Sequence, residues 1–150
     1  MPIDFPELST IGALFRFASA MEQAAIAVLD AAAEASGDAA STEALSRMAT
    51  KHRRRADELE LARKEKLNET VLEPLMDMPN TPYIPSLPSD IAGQSASSTM
   101  KLAHEVETKT EAFYGDAVEK AGPVLAEVRR LFTRFQKESG KNAKALSGMS

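Results

Sequence analysis

The eight prolines of this 150-residue chain are clustered: Pro2 and Pro6 at the start, five between Pro74 and Pro88, and Pro123 alone. Proline removes a helical hydrogen bond and clashes with the preceding turn, so long helices are confined to the three stretches between these points. Those stretches are rich in Ala, Leu, Glu, Lys and Arg, all strong helix formers.

Capping residues divide the first stretch in two. Ser9 or Thr10 starts a helix that runs to about Ser36, with Gly37 as a left-handed stop. Ser41 or Thr42 starts a second helix that continues to about Lys66, supported by Glu43 and by pairs such as Glu60 with Lys64. A third is expected from about Ser97 to Ala121, ahead of Gly122 and Pro123. The fourth runs from Pro123 or Val124 to about Leu146, and Gly115 and Gly140 weaken these last two locally. Between the second and third helices, about 67–94, the five prolines exclude regular helix, while Leu75, Met76, Met78, Tyr83, Ile84 and Leu87 are too apolar for free solvation. This segment reads as an ordered crossover strap, with Met76 and Met78 as gap-filling core contacts. Two helical hairpins joined by one long connection make an all-α four-helix bundle in a single domain.

Composition narrows the function. The formal charge of −4 and a pI near 5.3 argue against a nucleic-acid binder, which carries a basic excess. The absence of cysteine excludes thiolate metal sites, iron–sulfur clusters and thiol nucleophiles, leaving carboxylates and imidazoles as candidate ligands. No charge-poor apolar run is expected to reach the roughly 18 residues that span a bilayer, and Asp4 and Glu7 occupy the place of a basic leader, so the chain reads as cytoplasmic. No nucleophile elbow, phosphate loop or zinc-protease helix is present. The basic cluster Lys51, Arg53, Arg54 and Arg55, followed by Asp57, Glu58 and Glu60, reads as a solvated, salt-bridged face.

Each helical stripe carries something polar near its middle. Glu22 lies among Ala18, Met21, Ala25 and Leu29; His52 among Leu45, Met48, Ala49, Ala56 and Leu59; Glu107 among Ala103, Val106, Phe113 and Ala117; Ser139 and Asn142 between Phe135 and Leu146. Buried charge must be paired, hydrogen-bonded or metal-bound. The spacing leaves two readings open: a polar plug in which Glu22 and Glu107 flank His52, or a metal held by those three side chains. His104, one turn before Glu107, is a further candidate ligand or supporting group, whereas Glu138 is aimed at a neighbouring helix or water. An offset of 85 residues superposes Ala18, Glu22, Ala27, Ala32, Glu34 and Gly37 on Ala103, Glu107, Ala112, Ala117, Glu119 and Gly122, as a duplicated two-helix unit would.

The segments MEQAAIAVLDAAAEASG and VETKTEAFYGDAVEKAG resemble the first and third helices of the rubrerythrin branch of the ferritin-like superfamily, and EVRRLFTRFQKESGKNAKAL is similar to its fourth. The resemblance implies a di-iron ligand set of one Glu from each of the first and third helices and Glu-x-x-His from each of the others. Glu22, Glu107 and His52 match that set. Ala49 stands in place of the second helix's Glu, and Ser139 and Asn142 in place of the fourth helix's Glu and His. Two carboxylates and one imidazole offer too little negative charge for two ferrous ions, so the expectation is a degenerate site with at most one Fe, Mn or Zn ion. The alternatives are a non-catalytic scaffold, small-ligand or assembly module that has lost metal, and a histidine phosphotransfer domain, which would expose His52. Catalysis is expected to be absent and, if present, to be metal-dependent oxidoreduction, and the analogy implies a homodimer.

Overall fold

The computed structural model describes residues 3–66, 78–121 and 126–149. Regular structure among them is all helical: α1 (Ile11–Ala35), α2 (Ala39–Lys66), a single 3-10 turn at Thr81–Tyr83, α3 (Ala96–Ala121) and α4 (Ala126–Met149). This is the four-helix, all-α architecture that the proline map predicts. The first part of the expected strap, with Pro74, Leu75 and Met76, and the expected fourth-helix start at Pro123 or Val124 lie outside the described residues.

Local chemistry sets the helix ends. The Thr10 hydroxyl accepts from the Ala13 N–H at 3.1 Å, capping α1. The other end departs from expectation: Ser36 is extended (φ −68°, ψ 134°) and closes the helix without a left-handed Gly37. Its hydroxyl bonds both the N–H and the carbonyl of Asp38, a side-chain turn that leads directly into α2. Asp38 then caps α2 by accepting from the Ser41 N–H at 3.0 Å and the Ser41 hydroxyl at 2.8 Å, so this helix begins ahead of the expected Ser41 or Thr42. Ser95 caps α3 in the same way, accepting from the Ser98 N–H at 3.1 Å.

Pairs across the helices give their relative directions. Thr42 bonds the Ala33 carbonyl and His52 meets Glu22, so α1 and α2 are antiparallel. Gly115 faces Gln136 and Gly140 faces Glu111, so α3 and α4 are antiparallel as well. A Cβ at either glycine would press on the facing side chain. The atoms in the way are the flexible ends of Gln136 and Glu111, which lie over the two glycines.

The apolar interior is split into two clusters. One joins Leu14, Phe17 and Met21 of α1 to Leu59, Phe113, Phe132 and Phe135, with Phe17 and Phe113 ring centroids 4.9 Å apart. The other joins Val28 and Leu29 to Leu45, Ala49, Val106 and Leu146. Between them every helix contributes buried polar side chains: Glu22, His52, Arg55, Glu107, Thr110, Ser139 and Asn142.

The segment from Met78 to Ser95 is docked beside α3. Met78 and Tyr83 are buried in the first cluster, the core role expected for Met78. The Tyr83 hydroxyl donates to Asp116, Lys109 Nζ donates to the Ile84 carbonyl at 2.9 Å, and the Ser86 N–H donates to Glu105 at 3.3 Å. Leu87 and Ile91 reach the second cluster. One sequence expectation is corrected here: α1 is long and apolar enough, by length and composition, to cross a membrane, and 72% of that apolar window is buried inside the protein. Its charge-poor character comes from alanine and short aliphatic residues, with Arg16 and Glu22 the only charges from Ile11 to Leu29.

Candidate polar-core site

His52 is held between two carboxylates. Its Nδ1 donates to Glu22 Oε1 at 2.5 Å and its Nε2 donates to Glu107 Oε2 at 2.7 Å, with all three side chains buried. Both ring nitrogens can donate only in the imidazolium form. Burial alone would lower the His52 pKa, but Glu22 and Glu107 outweigh it and raise it from 6.5 to about 9. The ring is therefore a cation at neutral pH.

A second cation lies one helical turn further along α2. Arg55 is buried, with Nη1 donating to Ser139 Oγ at 2.8 Å and lying 3.6 Å from Glu22 Oε2. Its Nε donates to the partly exposed Glu138 at 3.0 Å, and its guanidinium sits 5.4 Å from the Phe135 ring centroid. Burial works against ionisation of Glu22, but His52, then Arg55 and the Tyr114 hydroxyl, hold its pKa below the usual carboxylate value. Tyr114 donates to Glu22 Oε2 at 2.5 Å; burial, then the adjacent Glu22 charge, push the phenol well above its ordinary range. Asn142 Nδ2 donates to Glu107 Oε2 at 2.9 Å. The result is a chain of charge-assisted hydrogen bonds that ties all four helices.

Three of the four residues singled out from sequence, Glu22, His52 and Glu107, are thus brought together, and Ser139 and Asn142 join them. His104 is placed elsewhere, half-buried beside Met100, Lys101 and Leu146. Arg55 is the member of this layer that the sequence misplaces: it is buried and not part of a solvated basic face. The available signal was its spacing, since residues 48, 52, 55 and 59 follow one another at three and four positions on a buried stripe. Lys51, Arg53 and Arg54 are exposed as expected, although Arg53 pairs across helices with Asp30, and Glu58 with Arg134, in place of pairing along α2. Glu138 meets a neighbouring helix through Arg55, as expected.

Two buried atoms in this layer, Arg55 Nη2 and Glu107 Oε1, have no hydrogen-bond partner among the described residues. Among those residues no group of three or more His, Asp or Glu side chains is arranged to hold a metal ion. His52 has no solvent exposure, which removes the accessible imidazole that a phosphotransfer domain needs. Because the Tyr114 hydroxyl bonds an ionised carboxylate, Tyr114→Phe is expected to cost about 2 kcal/mol; urea denaturation at pH 7, with an unchanged dependence on denaturant, measures it.

No protein-family model, curated protein or solved structure matches this chain.

Proposed function

We propose that this chain is a ferritin-like, rubrerythrin-related four-helix protein whose metal centre has been replaced by internal cations, and that it serves as a non-catalytic scaffold or assembly module. The observation that carries this reading is the engagement of both His52 nitrogens by carboxylates, beside a buried Arg55. A histidine ligates a metal through a nitrogen lone pair, and an imidazolium that donates from both sides has none to offer. Glu22 and Glu107 approach opposite edges of the ring, so the three groups present no common ligand face. The positive charges of His52 and Arg55 balance those two carboxylates, which is the electrostatic task a bound ion would otherwise perform.

The layout supports the same reading. The end of α2 shares the first apolar cluster with the start of α1, through Leu59 and Leu14, whereas the early part of α3 lies in the second. The described end of α2 and the start of α3 thus lie at opposite ends of the bundle, which supports reading the connection between them as a single long crossover of the ferritin-like type. The docked segment from Met78 to Ser95 forms its last part.

A second reading, one Fe, Mn or Zn ion held through Glu22, His52 and Glu107, draws support from the unpartnered Glu107 Oε1. Metal content separates the two. Untagged protein incubated with Fe(II), Mn(II) or Zn(II), desalted and analysed by mass spectrometry is expected to retain about zero metal per chain. One equivalent, lost in His52→Gln and Glu107→Gln, would overturn the proposal in favour of the single-ion site. Two equivalents would contradict both.

A further inference from the structure

At the end of the molecule where α1 stops and α3 begins lie two cavities of about 400 and 390 Å³ that share Met100 and Lys101 in their walls. Met149, near the end of α4, faces the first cavity together with Met100. His104 faces the second, again with Met100, and with Leu146 and Ser147. Met100 and His104 are four residues apart on α3 and so share one helix face. All three side chains are half-buried, and His104 takes part in no hydrogen bond or ion pair among the described residues.

We propose that this end of the bundle is a soft-metal site, in which the Met100 and Met149 thioethers and the His104 imidazole take up a Cu(I) ion. The donor set selects the ion: thioethers favour Cu(I) and imidazole accepts it, whereas hard divalent ions require several carboxylate or carbonyl oxygens, and besides Asp38 the side chains of these walls offer only serine hydroxyls. Asp38, the one acidic residue in the first cavity, is committed to capping α2. Lys101 opposes a divalent ion twice as strongly as a monovalent one. Buried methionines more commonly fill core gaps, and both of these also pack against the second apolar cluster, but each borders an open cavity, and Met100 shares its second cavity with the His104 imidazole. The site is separate from the polar layer, whose histidine is fully engaged, and it rests on none of the residues that carry the proposed function.

The test is an anaerobic titration of the untagged full-length protein with Cu(I) in competition with bicinchoninate. One Cu(I) per chain is expected, with at least tenfold weaker binding in Met100→Leu, Met149→Leu and His104→Gln. Titration of the unaltered protein with Ag(I) should move the Met100 and Met149 methyl signals and the His104 ring signals together by NMR, which keeps the test independent of whether any variant folds. Failure to withdraw Cu(I) from the chelator, or full retention in the Met100→Leu/His104→Gln double variant, would each overturn the site.

Discussion

Replacing Arg55 by methionine is expected to lower stability by about 3–5 kcal/mol, a large share of the roughly 5–15 kcal/mol available to a domain of this size. The substitution keeps most of the packing against Phe135 but removes the charge, leaving Glu22 buried with one compensating cation in place of two. It also removes the donor to Ser139. The loss therefore measures uncompensated charge more than a cavity, and Arg55→Ala should be only slightly worse. The double variant Glu22→Gln/Arg55→Met should recover more than half of the loss, because neutralising both members removes the unpaired carboxylate. Urea denaturation at pH 7 followed by circular dichroism reads all three. An Arg55→Met protein within about 1 kcal/mol of the parent would show that the guanidinium is not balancing buried charge.

The second large effect is on pH dependence. The folded His52 pKa, about 9, lies above the ordinary value of 6.5. Its contribution is fully present below about 6.5 and is lost as pH rises through 9, amounting to roughly 3 kcal/mol. Glu22 acts in the opposite direction: its pKa is held below 4.5, so its contribution is present above that value and is lost as pH falls through the folded one. Stability should thus be greatest between about 4.5 and 6.5 and decline steadily on the alkaline side. In His52→Gln the alkaline decline between 6.5 and 9 should largely vanish. A variant that keeps the parent's alkaline slope would assign that slope to another group.

Much of this organisation is legible in the chain itself because two strong physical signals act at long range. Proline placement marks where helices cannot continue, and the helical period brings Glu22, His52 and Glu107 onto buried stripes at a common height. What escaped has equally definite causes. Arg55 sits in a run of basic residues whose collective look is that of a surface, and only the difference between Arg55 and its neighbour Ala56 as the inward position separates the two readings. Both positions are permitted by a period of 3.6. The Tyr114 hydroxyl was hidden because tyrosine on an apolar stripe reads as ring area, and the partner that makes its oxygen important comes from another helix. The start of α2 depended on whether Asp38 or Ser41 supplied the cap, a competition between two good capping residues three positions apart. His104 stood one turn from Glu107, yet its place beside Met100 and Leu146 depends on how α3 and α4 meet.

The protonation of His52 is the point on which the metal-independent reading turns, and nitrogen-15 NMR of the imidazole observes it directly. At pH 7 both ring nitrogens should carry protons and give the shifts of an imidazolium, unchanged when one equivalent of Zn(II) is added. A neutral ring with one lone-pair nitrogen at pH 7, or a ring signal that moves to a metal-bound position on titration, would contradict the account.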